Sequence, residues 1–305
     1  MPTTADRIGK VAVIGLGAMG GPASAALAAR YPVHGYDPVP AARDRAAGYG
    51  VTVHDSAAGA AQGAELIFLS LPTPDVVRAV IADLVADLGA GIARRTVADL
   101  STIDPGTARD VAESITARGG HYADSPILGR PTACGGWTLV CGGAESAVAM
   151  ITDVAVGTIA KAVHRIGDVG AGATLKLLNN LMFGAINMIT AEIVSLAEQA
   201  GLDAGRFTSV IADSGAASVS GLFRDIAPRM AAHSYDPAFA IKLLAKDVRL
   251  GSELARELDR SAPMAELVRT ITERAVAGGL GDLDTAAVVE LYRTEADGSA
   301  PADQH

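Results

Sequence analysis

The sequence predicts an α/β fold: an N-terminal Rossmann-type doubly wound sheet, then an all-α C-terminal domain joined to it by a long interdomain helix. Three observations predict it. Short β-rich apolar runs alternate with helical stretches through residues 1–167. Strand signals stop after Gly167, and helical patterns fill the rest. A glycine-rich turn, Gly15-Leu16-Gly17-Ala18-Met19-Gly20, joins the first apolar run to the first helical one.

The strand candidates are residues 11–14, 33–36, 66–71, 97–100, 122–124, 138–141 and 163–166. Helical patterns lie between them at 20–29, 75–83, 106–117 and 144–154. Runs that are apolar throughout suit a parallel sheet covered on both faces. The second half reads as helices at 173–200, 204–213, 221–231, 241–258 and 264–277, with a short sixth at 285–292. Gly201 is placed to stop the first of these and Asp203 to cap the next. The domain expectation is 1–167, then 168–294, with 295–305 a polar, disordered tail.

The chain has 305 residues, half of them hydrophobic, enough to bury two cores. A net charge of -9 argues against nucleic acid or an anionic membrane as partner. Cys134 and Cys141 are seven apart, a spacing that fits no metal motif. No metal is expected, and reduced thiols point to the cytoplasm. The first residues lack the basic-then-apolar layout of a signal peptide. Residues 11–29 carry no charge over 19 positions, which raises the question of a membrane span. Four glycines and Pro22 within them favour a strand, a turn and a helix.

The glycine turn follows a buried strand and opens a helix, the context a dinucleotide loop needs. Gly15 allows the tight turn, Gly17 lets the backbone approach a pyrophosphate, and Gly20 lets helix and strand pack closely. Ala18 and Met19 lie at the helix start, where free N–H groups and the positive dipole end favour phosphate. Asp37 ends the second strand, 22 residues after Gly15. A carboxylate there bonds the ribose hydroxyls of NAD and repels the 2′-phosphate of NADP. Pro38 follows, and Arg43 is the nearest arginine. NAD is therefore expected over NADP. Leu71-Pro72 and Ser101-Thr102 also follow strands, where doubly wound sheets bind ligands. Leu71, Pro72 and Thr102 join the cofactor candidates, although each alone reads as a turn or cap.

Lys176 is the only charge between Val169 and Ala191. A helix without a charged face is predicted to be buried nearly all round. Asn180 lies four residues on and shares a helix face with Lys176. A buried lysine beside an amide can serve as acid or base; the alternative is a lysine that snorkels to water. Desolvation or a nearby cation would lower the lysine from its ordinary 10.4 toward a useful base.

These pieces together resemble the 3-hydroxyisobutyrate dehydrogenase family of β-hydroxyacid dehydrogenases. The motifs are GLGAMGGP near the start, DSPILGRPTACGGWTL at 124–139, GAGATLKLLNN at 170–180 and FAIKLLAKD at 239–247. The resemblance implies NAD(P) on the N-terminal domain and an active site in the cleft between domains. It implies Lys176 as acid/base, Asn180 as a substrate contact, and Lys246 near nicotinamide and substrate. It also implies a homodimer or homotetramer formed through the helical domain. The implied substrate is a small β-hydroxy acid, interconverted with its semialdehyde.

Two departures matter. Relatives carry Ser-Gly-Gly in the substrate loop; here the triplet is Leu128-Gly129-Arg130. The hydroxyl is lost, while the Gly129 backbone remains, and Arg130 can fork onto an oxyanion or be a solvated loop residue. A glycine later in the loop is replaced by Trp137, read as a pocket wall or as core packing. Imine reduction is an alternative chemistry, opposed by Lys176 and Asp37. A non-catalytic nucleotide-binding protein is another, opposed by retention of the motif lysine. Asp247 is expected to pair with a basic residue, and Glu192 and Glu198 to be solvated or interface charges. His121 and His164 read as core or edge histidines.

Overall fold

The computed structural model describes residues 8–216 and 218–296, with side chains to 293. The chain divides into two compact units, Met1–Leu177 and Leu178–His305.

Among the described residues the first unit holds nine strands: β1 (Val11–Ile14), β2 (Val33–Tyr36), β3 (Thr52–Val53), β4 (Leu66–Leu69), β5 (Thr96–Asp99), β6 (His121–Asp124), β7 (Ile127–Leu128), β8 (Trp137–Gly143) and β9 (Ala160–Gly167). Six helices alternate with them: α1 (Gly20–Ala28), α2 (Pro40–Ala47), α3 (Ala57–Ala61), α4 (Pro74–Leu88), α5 (Pro105–Thr116) and α6 (Glu145–Ala155). The sheet runs β3-β2-β1-β4-β5-β6-β8, with β7 and β9 also on β8.

Alternation along the central strands explains the double winding. Val11, Val13, Leu66 and Phe68 face one core, covered by α1, α2 and α6. Ala12, Ile14, Ile67 and Leu69 face the other, covered by α3, α4 and α5. Side chains on a strand point to opposite faces in turn, so one apolar strand feeds both cores. The charge-free stretch from residue 11 is thus a strand, a turn and a helix, as its glycines suggest.

The sheet is mixed rather than wholly parallel. Strands β3 to β6 pair in parallel, but β6 and β7 pair antiparallel with β8. The two form one continuous register: Ala123 faces Gly143, Asp124 faces Gly142, Ile127 faces Leu139 and Leu128 faces Thr138. Pro126, which has no N–H, interrupts the ladder, although its carbonyl still accepts from Val140 N at 3.2 Å. Segment 121–128 is therefore one edge of a hairpin with β8. Two-residue strands such as β3 and β7 are too short to show a periodicity.

The division between units falls inside α7 (Ala171–Gln199). The second unit continues with α8 (Ala204–Asp213), α9 (Gly221–Ala231), α10 (Ile241–Glu257), α11 (Pro263–Ala275) and α12 (Val289–Ala296). Gly201 follows α7 at φ 80°, and Asp203 caps α8 by accepting from Arg206 N at 2.7 Å. Helix α7 packs on α10 and α11 through Gly184, where a Cβ would stand 2.8 Å from Val268 Cγ1 and 3.3 Å from Val248 Cγ2. Of the expected tail, 295–305, residues 297–305 lie outside the described residues; 295 and 296 belong to α12.

Helix α7 departs from the reading of all-round burial. Leu178, Met182, Ile189 and Leu196 are each more than half exposed. Their spacings of four, seven and seven put them on one face, so the helix has an apolar exposed stripe instead of a charged one. By length and composition α7 alone among the described helices could cross a membrane, and half of that stretch is buried inside the protein. Glu198 also differs from expectation: it pairs with Arg293, which reaches Glu290 and Tyr235 as well.

Candidate active site

The glycine turn is shaped by close backbone approach. Gly15 has φ 91°, and a Cβ there would stand 2.2 Å from the Ser70 carbonyl oxygen. A Cβ on Gly20 would stand 1.8 Å from Gly15 O, whereas one on Gly17 would meet nothing within 4 Å. So Gly15 and Gly20 lock strand to helix, and Gly17 faces open space. The α1 N-terminus has no side-chain cap and no acidic residue in its first turn. Its N–H groups and positive dipole end are therefore available to an anion beside Gly17, Ala18 and Met19. These features fit a dinucleotide pyrophosphate.

Asp37 lies just past β2 and is buried. Its Oδ2 accepts from Leu16 N at 2.8 Å and its Oδ1 from Val39 N at 2.8 Å. The carboxylate is pinned inside the glycine turn itself, and each oxygen keeps a lone pair for a hydroxyl donor. Arg43 donates to the Asp37 carbonyl at 2.6 Å, so the nearest arginine borders the acid through the backbone. At the next strand ends, Leu71 N donates to Ser101 Oγ at 2.9 Å, and Ser101 N to Asp99 Oδ1 at 2.9 Å. Pro72 is exposed and Thr102 half-buried.

Lys176 lies on the second turn of α7, half-buried, and donates from Nζ to the Ile127 carbonyl at 2.7 Å. It therefore meets the loop that carries Leu128, Gly129 and Arg130. Leu128 and Arg130 are half-buried and Gly129 is exposed. Trp137 settles beneath this loop. It is 0% exposed and donates from Nε1 to Arg130 O at 2.7 Å. The hairpin register puts it opposite Gly129, and its indole lies where a Cβ of Gly129 would stand, 2.4 Å from Cδ1. Of the two readings of Trp137, the core role holds: the indole braces the loop from below and does not face out as a pocket wall.

In the second unit, Asn180 Nδ2 donates to Asp247 Oδ2 at 2.6 Å, and Asn180 Oδ1 accepts from Asn179 at 3.2 Å. Lys246 Nζ lies 2.8 Å from Asp247 Oδ1 in an ion pair. Asn180 and Asp247 are buried, at 4% and 3%. The expected basic partner of Asp247 is thus Lys246, and the same carboxylate orients the Asn180 amide.

Sequence reasoning missed one buried group. Asp124, 1% exposed at the end of β6, accepts from Gly170 N at 2.7 Å and Ala173 N at 2.6 Å. Burial, offset by these N–H bonds and aided by nearby Asp99, pushes its carboxyl up to about 7. Tyr122, beside it, donates to Asp99 at 3.0 Å, and burial holds its phenol well above the ordinary range. The available signal was the Asp at the head of one motif and the glycines at the head of another. Cys141 is buried, Cys134 half-buried, and both are free. No group of three metal-ligating side chains occurs among the described residues. His121 and His164 are both exposed.

Comparison with known proteins fits this arrangement. Residues 10–167 match the family model for the NAD binding domain of 6-phosphogluconate dehydrogenase. Residues 170–292 match the model described as NAD-binding of NADP-dependent 3-hydroxyisobutyrate dehydrogenase. A probable 3-hydroxyisobutyrate dehydrogenase of Mycobacterium tuberculosis is 32% identical over 94% of this chain and 99% of its own. The chain belongs to the 3-hydroxyisobutyrate dehydrogenase family. The 3-sulfolactaldehyde reductase of Escherichia coli is 31% identical over 94% of this chain and 96% of its own. The crystal structure of a 3-hydroxyisobutyrate dehydrogenase from Salmonella typhimurium superposes with a TM-score of 0.83, at 27% identity over 93% of this chain and 99% of that one. An imine reductase from Pseudomonas, at 22% identity and a TM-score of 0.62 over 93% of this chain and 99% of its own, shares the fold alone. The protein is an NAD(P)-dependent oxidoreductase of the β-hydroxyacid dehydrogenase family, with a small-molecule substrate.

Proposed function

We propose that the enzyme interconverts a short β-hydroxy acid and its semialdehyde, with NAD preferred over NADP and Lys176 as the proton-handling group. The observation that carries this reading is the Lys176 amine at 2.7 Å from the carbonyl of Ile127, at the head of loop 128–130. Bound nicotinamide supplies the hydride acceptor or donor. Gly15, Gly17, Ala18, Met19 and Gly20 hold the pyrophosphate, Asp37 the adenosine ribose, and Leu71, Pro72 and Thr102 border the crevice. Lys176 takes the hydroxyl proton during oxidation and returns it to the carbonyl oxygen during reduction. Asn180, one helical turn on, donates an amide N–H to substrate, its orientation set by Asp247 and Lys246. Leu128, the Gly129 backbone and Arg130 receive the acid group, with Trp137 bracing them.

Asp37 supports NAD because its fixed negative charge opposes a 2′-phosphate. A preference of tenfold or more in kcat/KM, about 1.4 kcal/mol, is expected for NAD. Asp37→Ser should narrow it. A native enzyme with equal use of both cofactors contradicts this part.

Arg130 favours a second reading of the acid group, namely a sulfonate. A guanidinium fork offers two N–H donors and a full charge where a serine offers one hydroxyl. The relative named 3-sulfolactaldehyde reductase makes that class a reasonable substrate. NADH formation across 3-hydroxycarboxylates and 3-hydroxysulfonates of matched length tests both. Turnover of neither class, nor of their aldehydes in reverse, would overturn the function.

We also propose a homodimer or homotetramer assembled through the Leu178, Met182, Ile189 and Leu196 stripe, an apolar face of the kind that marks contact surfaces. Met182→Glu with Ile189→Glu should yield monomers by light scattering.

A further inference from the structure

We infer that Asp124 is a positioning residue: its carboxylate clamps the first turn of α7 to the end of β6 and so sets Lys176 against the Ile127 carbonyl. This inference rests on the proposed role of Lys176.

The geometry is a closed ring of short links. Asp124 ends β6, and Ile127 begins β7 three residues later along the same ladder. Ala173 lies on the first turn of α7, and Lys176 follows three residues later on the same helix. Two hydrogen bonds join the legs: Ala173 N to Asp124 Oδ2 at 2.6 Å, and Lys176 Nζ to Ile127 O at 2.7 Å. Gly170 N to Asp124 Oδ1, at 2.7 Å, doubles the first link. A strand and a helical turn are both stiff, so fixing one end of the ring fixes the lysine at the other.

The surroundings are built for this approach. A Cβ on Gly142 would stand 2.7 Å from Asp124 Oδ1, and one on Gly172 would stand 2.9 Å from Oδ2 and 2.3 Å from Val140 O. Side chains at either position would push helix and sheet apart. A carboxylate is the side chain suited to the task, because it accepts through two oxygens and its charge favours the positive end of a helix. The groups facing it are Asp99 on β5, Tyr122 on β6 and Cys141 on β8. None of them is a cation, so its charge is compensated by backbone N–H groups: Gly170 just before α7, Ala173 within its first turn, and its own.

Two measurements test the clamp without requiring turnover. In the native protein, hydrogen–deuterium exchange should find the Gly170 and Ala173 amides strongly protected. The first-turn amides of α11, which has no side-chain cap, provide the unprotected comparison. Equal exchange in the two turns overturns the inference. In Asp124→Asn, an amide of the same size that keeps one acceptor oxygen, trace acetylation at pH 8 should modify Lys176 several-fold faster than in the native protein. The exposed Lys242 should be unchanged. Native-like labelling of Lys176 in the folded variant overturns the inference. The same variant should lower kcat on the order of 10–100-fold with the KM for the cofactor unchanged. Should Lys176→Ala keep native turnover, the functional reading fails, while the exchange and labelling results still judge the clamp.

Discussion

The glycine turn at residues 15–20 and the loop at 127–137, the proposed cofactor and acid-group loops, are held differently. In the first, the limits are other backbone atoms: Ser70 O against Gly15 and Gly15 O against Gly20. In the second, the limit is a side chain, the Trp137 indole against Gly129, with its Nε1–H fastening Arg130 O. Backbone limits leave no freedom to repack. A side-chain limit can be reset by one substitution on the opposite strand. On the proposed roles, the glycine turn is fixed by the fold, while loop 127–137 is adjustable and is where specificity can change without changing the fold.

Gly20→Ala should break the first loop outright. Its Cβ would meet backbone at 1.8 Å, so a cost of about 3 kcal/mol or more and loss of cofactor binding by calorimetry are expected. Retained cofactor affinity would erase the contrast between the two loops.

At the base of the second loop, the Asp124 carboxyl is raised to about 7 in the folded protein against an ordinary value near 3.9. The unfolded chain releases this proton first, so between about pH 4 and 7 the folded state holds more protons. Stability contributed by this group therefore falls as pH rises through that window and is flat above it. The size is on the order of 2–4 kcal/mol. The melting temperature of the native protein should fall relative to Asp124→Asn between pH 4.5 and 7.5. Parallel curves would show that the carboxyl ionises near its ordinary value.

Gly129→Ala should cost about 1–3 kcal/mol, because an indole can yield where a backbone cannot. In a Trp137→Gly background the same substitution should cost measurably less, the remainder being the strain of a Cβ at φ 158°, a coupling read from a double-mutant cycle. Equal cost in both backgrounds would mean that backbone limits this loop too.

The same contrast explains what the sequence made legible. Gly15, Gly17, Gly20 and Asp37 act through local chain geometry, and their spacing alone placed them. Asp37 proved to be bonded to Leu16 N within the turn it was read beside. The helices of the second unit were readable because they carry apolar faces, and α8 and α9 also carry side-chain caps, Asp203 and Ser220. Asp124 was legible only as the head of a motif, since the partners that define its role lie 46 and 49 residues away. Trp137 could be read only as buried or lining, because its role depends on the register that puts it opposite Gly129. The absence of charge on α7 predicts burial, but an apolar exposed face satisfies the same pattern, as Leu178, Met182, Ile189 and Leu196 show. The antiparallel turn at β8 was hidden because strand direction leaves no trace in an apolar run.

The most direct test is the rate of NADH formation by Lys176→Ala against the native enzyme, on the best hydroxy acid from the substrate panel, with NAD affinity measured alongside. A loss on the order of 10²–10⁴ in kcat is expected, with NAD affinity unchanged. A variant within a few-fold of the native rate would contradict the proposed role of Lys176.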